Sequence, residues 1–284
     1  MDRRERYLKH GVHRVGGLSI SLDKFGARYI SSLDAIQEAV GEAGALAEIG
    51  VYEGKLCILL ALCARAGESC LAIDVFEDQH LNIDHSGYGN KVKFLHNMQK
   101  WAPAADLKIV QKSSLEMLPE EIIEICGRVR LASIDGSHTE ECALNDLRMI
   151  EAVLTQRGVI MLDDCFNQAW PGVSSAIAKY LLSREGRLRP FAISSNKLYL
   201  ALPEYTGFYR NEIMNRNAYY YEKSAHFLDY EVDIYGAFPY TLSLKRRVDE
   251  LKCRVIEEVK RSPLGPYARG LRRLALRLLR SQRT

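Results

Sequence analysis

The sequence predicts an α/β fold built on a doubly wound, mostly parallel β-sheet. Short apolar segments alternate with longer segments of helical periodicity, as they do where each strand is followed by a crossover helix. Most of the glycines, aspartates and serines that are candidates for a binding site come directly after an apolar segment. Because parallel strands end at the same edge of a sheet, we expect these residues to meet on one rim, where ligands bind in such folds.

The composition is that of an ordinary soluble globular protein. The 284 residues are 47% hydrophobic and 26% charged, which is enough for one large domain with additions. No apolar segment approaches the roughly 20 residues that span a bilayer, and the charged N-terminus lacks the apolar core of a secretory signal. The seven cysteines lack paired C-x-x-C spacing, so we expect reduced core thiols and no zinc site.

Residues 45–54 are the stretch on which the prediction is built, with a short apolar strand, a tight turn and a helix start. Glu48, Gly50 and Gly54 form the pattern E-x-G-x-x-x-G. Glycine tolerates positive φ and lets backbone come close to a ligand, and the first N–H groups of the helix point towards it. The spacing differs from the G-x-G-x-x-G of dinucleotide-binding folds, which argues against a nicotinamide-dependent oxidoreductase.

The elements before and after this stretch follow from local periodicity. Helical spacing predicts a helix over 30–40, and Gly67 marks the end of the helix that follows the glycine turn. Further helices are predicted over 93–101, 118–126, 139–155 and 171–182. Further strands are predicted over 70–73, 107–111, 131–134, 158–162, 191–193 and 197–202. The last two strands are so close together that they indicate an antiparallel hairpin.

Asp74 ends the second strand and follows Gly54 by 20 positions. In nucleotide-binding α/β units, an acid at this place accepts hydrogen bonds from ribose hydroxyls. The alternative is a solvated aspartate at a strand end. The glycine turn upstream favours the ribose role, so the sequence predicts a nucleoside ligand.

Three carboxylates, Asp135, Asp163 and Asp164, follow two strands that should be neighbours. Crowded acids repel each other unless they are neutralised, and oxygen ligands suit a hard divalent cation. Such an ion could hold a substrate hydroxyl and lower its pKa, and His138 could remove the proton. Alternatively, Asp163 or Asp164 caps the next segment and His138 orients a neighbouring side chain.

Residues 45–202 resemble class I S-adenosylmethionine-dependent methyltransferases. The resemblance rests on the glycine turn, on Asp74, on the I-D-G-S-H segment at 134–138 and on the G-V-I-M-L-D-D segment at 158–164. Within that class the chain resembles the metal-dependent sugar O-methyltransferases of macrolide (macrocin, mycinamicin) and aminocoumarin biosynthesis. The resemblance implies a Rossmann-like sheet of seven strands, of which the last is antiparallel.

The resemblance also implies roles for individual residues. Asp74 would hold the ribose hydroxyls, and Ser113 or Ser114 would approach the adenine edge. Asp135 and His138 would form the catalytic group. The implied ligands of a divalent cation, which we expect to be Mg²⁺, are Asp135, Asp163 and Asp164. The residues expected in the S-adenosylmethionine site are Glu48, Gly50, Tyr52, Gly54, Asp74, Ser113, Ser114 and Asp135.

The loop over residues 76–89 follows Asp74 directly and is long, polar and without periodicity. Loops of this kind often serve as lids or as binding loops in enzymes. This loop is therefore a lid, an acceptor-binding segment or a surface loop without a role in binding. Its aspartates, histidines, asparagine and tyrosine favour contact with a polyhydroxylated acceptor.

The pattern divides the chain into an N-terminal helical cover (1–44), a catalytic domain (45–203), an aromatic-rich extension (204–241) and a basic helical tail (242–284). Residues 245–284 hold 13 lysines and arginines against 4 acids, whereas the rest of the chain has a net charge of −6. An apolar helical stripe early in the tail suits association with another chain or docking on the core, and a homo-oligomer is expected.

The end of the tail, residues 267–280, has the pattern of a short basic amphipathic helix. It suits an anionic membrane surface or a partner, or it is simply solvated. Nucleic acid is not expected, because no base-stacking platform accompanies the basic residues. The expected location is the cytoplasm, with a peripheral membrane contact through this segment.

Taken as a whole, the sequence predicts an S-adenosylmethionine-dependent O-methyltransferase that acts on a sugar hydroxyl of a surface glycan or a glycosylated natural product. A sulfonium methyl is already activated, so the protein has mainly to align the acceptor oxygen and accept a proton. A sugar hydroxyl is a poor nucleophile. A cation that lowers its pKa and a base that accepts its proton would therefore both promote the reaction. The alternative is an inactive fold that binds or scaffolds through its C-terminal helices.

Overall fold

The computed structural model describes residues 2–16, 22–183 and 185–236. The strands in this part of the chain are β1 (Ala45–Ile49), β2 (Ser69–Asp74), β3 (Asp106–Gln111), β4 (Val129–Ile134), β5 (Leu154–Leu162), β6 (Arg189–Ser194), β7 (Lys197–Ala201), β8 (Tyr221–Phe227) and β9 (Tyr230–Tyr235). Its α-helices are α1 (Arg3–His10), α2 (Lys24–Ala39), α3 (Lys55–Cys63), α4 (Lys91–Trp101), α5 (Pro119–Cys126), α6 (Glu140–Val153), α7 (Pro171–Leu182) and α8 (Pro203–Asn217). The basic tail expected over 242–284, with its membrane-binding segment, lies outside the described residues.

The strands form one sheet in the order β3-β2-β1-β4-β5-β7-β6-β9-β8. Neighbouring strands among the first five in this order are parallel, whereas β7 is antiparallel to both β5 and β6. The α/β class, the mostly parallel sheet and the antiparallel hairpin are therefore confirmed. The direction of winding reverses between β1 and β4, and ligands bind at such a switch point in open α/β sheets.

The sheet has nine strands, so the expected number of seven is wrong. β8 and β9 form an antiparallel hairpin, and β9 pairs in parallel with β6. β8 has no continuous apolar run, because it is an edge strand whose residues are all half-buried or exposed. Arg210 of α8 fastens the hairpin through ion pairs with Glu231 and Asp233, each at 2.9 Å. The aromatic-rich segment therefore extends the same sheet.

Helices cover both faces of the sheet, and each face has its own apolar core. Helices α2, α3, α4 and α8 pack on one face, and α5, α6 and α7 pack on the other. Leu46 of β1 belongs to the first core and Ala47 to the second, because successive side chains of a strand point to opposite faces. All five residues of β1 are buried, so the glycine turn follows a strand that is packed on both faces.

Helix α1 is anchored beside the first turn of α3. The Tyr7 side chain is fully buried, and its hydroxyl donates a hydrogen bond to the Lys55 carbonyl at 2.6 Å. The Tyr7 ring meets Trp101 of α4 edge to face, with 5.4 Å between ring centroids. The N-terminal helix therefore supports the turn that immediately precedes α3.

Two expectations from the sequence concern the cysteines and membrane-spanning segments. Six of the seven cysteines lie in the described residues; all six are free thiols, and five of them are buried. None of the helices in the described ranges is long and apolar enough to cross a membrane.

A buried ion cluster joins β4, α2 and the start of β2 on the side of the first core. Arg130 has no solvent exposure, and its guanidinium makes ion pairs with Asp34 at 3.0 Å and with Glu68 at 2.8 Å. It also donates a hydrogen bond to the Gln37 side chain at 2.8 Å. Removing one partner of such a cluster leaves uncompensated charges in a dry environment.

We therefore expect Arg130→Met to lower the free energy of unfolding by about 1–3 kcal/mol, because Asp34 and Glu68 lose their fully buried partner and keep only the more exposed Arg4 and Arg65. Urea unfolding followed by circular dichroism measures this loss. The matched control is Arg148→Met, since Arg148 and its partner Glu185 are 52% and 79% exposed; it should change stability by less than about 0.5 kcal/mol. Equal effects of the two substitutions would contradict the role of the cluster.

Candidate functional site

A cavity of about 570 Å³ opens at the carboxyl ends of the parallel strands. Its wall includes many of the residues expected from the sequence: Gly50, Tyr52, Asp74, Ser113, Ser114, Asp135, His138 and Asp164. Three others, Glu48, Gly54 and Asp163, do not line it. The expected site residues therefore gather at one cavity, with the exception of these three.

The two glycines of the turn are required by contacts within the protein. Gly50 has a φ of +82°, and a Cβ at this position would overlap the backbone carbonyl of Asp135 at the end of β4. Gly54, with a φ of +90°, caps α3, and a Cβ there would press on the Phe94 ring. The E-x-G-x-x-x-G spacing thus lets the ends of β1 and β4 come together, and this close approach places Asp135 at the cavity.

Asp74 holds the glycine turn from the end of β2. One of its carboxylate oxygens accepts a hydrogen bond from the Tyr52 N–H at 2.8 Å, and the other accepts from the Phe76 N–H at 2.6 Å. Burial raises the pKa of Asp74 in spite of these hydrogen bonds. Asp74 is therefore not a solvated strand end: it fixes the shape of the turn and also lines the cavity.

Glu48 is buried within β1, with 2% of its surface exposed. Burial raises the pKa of its carboxyl group to about 8, so the group is mostly protonated near neutral pH. One of its oxygens, Oε2, has no hydrogen-bond partner within the described residues. An unpaired buried oxygen is costly, so a further hydrogen-bond donor beside it would be stabilising.

His138 is held on both ring nitrogens. Nδ1 lies 2.7 Å from the Asp84 carboxylate, and Nε2 lies 3.0 Å from the Asp164 carboxylate. The imidazole stacks on the Trp170 indole, with 4.2 Å between centroids and 15° between planes. Burial opposes the charged ring, but the hydrogen bonds with Asp164 and Asp84 outweigh it and raise the pKa of His138.

Asp84 and Trp170 are site residues that the sequence analysis did not identify. Asp84 belongs to the loop over residues 76–89 and also accepts a hydrogen bond from the His138 backbone N–H at 2.5 Å. Asn82 stabilises this loop by donating to the carbonyls of Ser86 and Gly87 at 2.8 and 3.1 Å. The polar composition of the loop was the available signal, but no local pattern links residue 84 to a histidine 54 positions away.

Asp163 is paired with Lys197 of β7, a third residue that was not identified from the sequence. The two side chains form an ion pair and are 2% and 1% exposed. Burial opposes the charge of Lys197, but Asp163 and Asp135 outweigh it and raise the pKa of the ammonium. A lysine at the start of a strand that is otherwise apolar was the only sequence signal for such a buried pair.

The structure brings together Asp135, His138 and Asp164. One possible ligand atom from each lies within 4.8 Å of the other two, which makes this a group that could hold a metal ion. Burial and the neighbouring Asp163 raise the pKa of Asp135 well above its ordinary range. The set expected from the sequence shares Asp135 and Asp164 with this group, whereas Asp163 faces Lys197 instead.

The two serines after β3 also line the cavity. Ser113 precedes a short 3₁₀ helix, and the Ser114 carbonyl accepts a hydrogen bond from Asn145 of α6 at 3.2 Å. Next to Asn145, Asp146 is fully buried and directed at Gly136, after the end of β4. Helix α6 thereby supports both the Ser113–Ser114 wall and the segment that carries His138.

This chain is similar to a known protein family and to several solved structures. Residues 47–165 match a family model described as "Methyltransferase domain". No curated protein matches the sequence. Among solved structures, the O-methyltransferase NovP is similar with a TM-score of 0.50 and 16% identity, over 62% of this chain and 80% of that one.

Two further solved structures are similar to the same extent. Cofactor-bound Rv0187 from MTB has a TM-score of 0.50 and 15% identity, over 71% of this chain and 90% of that one. The SAH-bound methyltransferase PaMTH1 of Podospora anserina has a TM-score of 0.50 and 10% identity, over 71% and 88%. Likeness at such low identity establishes a shared fold.

The buried acid Asp146 leads to a prediction about pH. Burial raises its pKa to about 6, although Ser114 and Asn145 donate hydrogen bonds to it, and its Oδ2 is unpaired within the described residues. The folded state therefore binds this proton more tightly than the unfolded chain. Its stabilising contribution is fully present below the ordinary pKa near 3.8 and is lost as the pH rises through about 6.

Asp146→Asn should remove this loss and raise the free energy of unfolding at pH 7 by roughly 1–3 kcal/mol relative to the wild type, with no gain at pH 4. Urea unfolding of both proteins at several pH values between 4 and 7 measures the difference. A difference that is constant over this range would contradict the raised pKa.

Proposed function

We propose that this chain, whose residues 47–165 match a methyltransferase domain, transfers the methyl group of S-adenosylmethionine to a hydroxyl oxygen, with the help of a divalent cation. The observation that carries the proposal is the shared cavity. Asp74, at the place of a ribose-binding acid, and the group formed by Asp135, His138 and Asp164 line the same space of about 570 Å³. Such a volume is typical of sites for cofactors and small substrates.

The residues fit a nucleoside with a positively charged side chain. Asp74 presents a carboxylate to ribose hydroxyls, and Ser113, which also lines the cavity, offers polar groups to the adenine edge. Oε2 of Glu48 is unpaired within the described residues, and a bridging water would satisfy it. S-adenosylmethionine carries ribose hydroxyls, an ammonium group and a sulfonium, which these groups complement.

S-adenosylmethionine supplies a methyl group that is already activated as a sulfonium. The protein therefore contributes positioning, exclusion of water and a place for the hydroxyl proton. His138 and the carboxylates of Asp135 and Asp164 lie where an acceptor hydroxyl in the cavity would meet them. Burial and the nearby Asp163 raise the pKa of Asp135, which favours a proton or a cation at this position.

We propose a sugar hydroxyl as the acceptor. An amine or a carboxylate would attack a sulfonium methyl without a cation, whereas a sugar hydroxyl needs its pKa lowered. The loop over residues 76–89 lines the cavity with polar side chains, including Asn82, His85 and Ser86, which suit a polyhydroxylated molecule. Trp170, which stacks on the His138 imidazole with one face, also lines the cavity and adds an aromatic surface of the kind on which sugar rings pack.

The first test is calorimetry with S-adenosylhomocysteine. The wild type should bind it, and Asp74→Ala should weaken binding by about tenfold or more, because the ribose partner and the anchor of the Tyr52 turn are lost together. The control is Asp106→Ala at the exposed start of β3, which should leave affinity unchanged. Absence of binding by the wild type would refute the proposal.

The second test concerns the cation and His138. Methyl transfer to a panel of nucleotide-linked sugars should be lost in the presence of chelator and restored by a divalent cation, with binding of S-adenosylhomocysteine unaffected. His138→Gln should lower kcat by about 10²–10⁴-fold while cofactor affinity persists. Full turnover in chelator would show that the cation is dispensable.

A further inference from the structure

We propose that the outer sides of helices α1 and α4 form a docking surface for an anionic lipid bilayer beside the mouth of the cavity. The proposed reaction does not use this surface, and the proposal does not depend on that reaction. The surface is also separate from the basic segment over 267–280, which lies outside the described residues.

The two helices carry an excess of positive charge on a body that is otherwise acidic. α1 has the sequence RRERYLKH and α4 the sequence KVKFLHNMQKW, so together they hold seven lysines and arginines against one glutamate. Residues 1–244 as a whole have a net charge of −6. Cations are therefore concentrated on these two helices, and such a cluster is attracted by anionic headgroups.

The Trp101 ring brings cations from both helices together. The Arg6 guanidinium of α1 lies 5.8 Å from the centroid of this ring, and the Lys100 ammonium of α4 lies 5.6 Å from it. Both Arg6 and Lys100 are exposed. Because Tyr7 of α1 meets the same ring edge to face, the two helices pack side by side and present one basic surface.

Aliphatic side chains are exposed on the outer side of α4. The inner side of this helix packs into the first core through Phe94, Met98 and Trp101. On the outer side, Val92 and Leu95 lie three positions apart, on one face of the helix, and are 74% and 42% exposed. Exposed apolar side chains beside lysines are typical of helices that lie in the interface of a bilayer.

The loop at the cavity also exposes apolar side chains. Tyr88 and Ile83 are 70% and 50% exposed, and both line the cavity. Tyr88 precedes Val92 by four positions, so this loop leads directly into α4. Tyrosine is enriched where a membrane meets water. A bilayer docked on α4 would therefore lie beside the cavity mouth, where an acceptor anchored in lipid could enter.

A lipid surface fits these features better than nucleic acid or a second copy of the chain. Single-stranded bases stack on exposed aromatic rings, whereas the aromatic side chains of α1 and α4, which are Tyr7, Phe94 and Trp101, are all buried. A second copy that docked through the same surface would bring like charges together. Anionic headgroups complement the cations, and the lipid interior accepts Val92 and Leu95.

The first test is sedimentation of the full chain with vesicles of phosphatidylcholine alone and with vesicles that also contain phosphatidylglycerol. We expect binding to the anionic vesicles only, and weaker binding at higher ionic strength, because salt screens the attraction. Val92→Asp with Leu95→Asp should weaken binding by about tenfold or more. The matched control is Leu182→Asp, since Leu182 is 69% exposed and ends α7 on the other face of the sheet; it should bind like the wild type.

The second test concerns charge. Lys93→Glu with Lys100→Glu should weaken vesicle binding by about tenfold or more. Lys179→Glu with Lys223→Glu changes the net charge equally at exposed positions outside α1 and α4, and should bind nearly like the wild type. Equal losses in the two paired variants would show an effect of net charge alone and would overturn the proposal.

The third test locates the contact. The fluorescence of Val92→Trp should be quenched by lipids that carry bromine on their acyl chains, and that of Leu182→Trp should be quenched much less. Trp101 and Trp170 are present in both variants, so the difference reports on position 92. Vesicle binding without quenching at position 92 would assign the contact to another segment and overturn the proposal.

Two further outcomes would also overturn the proposal. One is failure of the wild type to bind either kind of vesicle. The other is loss of self-association in Val92→Asp with Leu95→Asp, measured by analytical ultracentrifugation, while vesicle binding stays unchanged. That result would assign this surface to a second copy of the chain.

Discussion

The close approach of the glycine turn to the end of β4 is the contact on which the site depends. Gly50 lies so near the Asp135 carbonyl that any side chain would force the two strand ends apart. Asp74 fixes the other side of the turn through the N–H groups of Tyr52 and Phe76. These contacts place acids from β2 and β4 on one cavity, so a small change in the turn would displace both.

The charges around the cavity are arranged so that most carboxylates already have a partner. Asp84 faces His138, Asp163 faces Lys197, and Asp164 is held by Asn167 and Asn196. Asp135 differs from these, because burial and the nearby Asp163 raise its pKa well above the ordinary range. Asp135 therefore favours its protonated form, or a cation beside it, because its carboxylate would otherwise repel that of Asp163.

The elements that could be predicted from the sequence are those with strong local signals. β1 to β7 are short apolar runs or lie beside them, and the last two are joined by a tight turn, so each was recognisable by itself. β8 and β9 were missed because an edge hairpin is half exposed and has no continuous apolar run. Its position beside β6 depends on pairing with a segment far away in the sequence.

The sequence by itself determined that acids, glycines and a histidine would gather on one rim, because parallel strands all end at the same edge of the sheet. The tertiary structure decided which of them act together. Lys197 reaches Asp163 across 34 positions, and Asp84 reaches His138 across 54. Such contacts depend on strand order and on the path of a loop, which have no local pattern, and they determine which acids remain available to bind a cation.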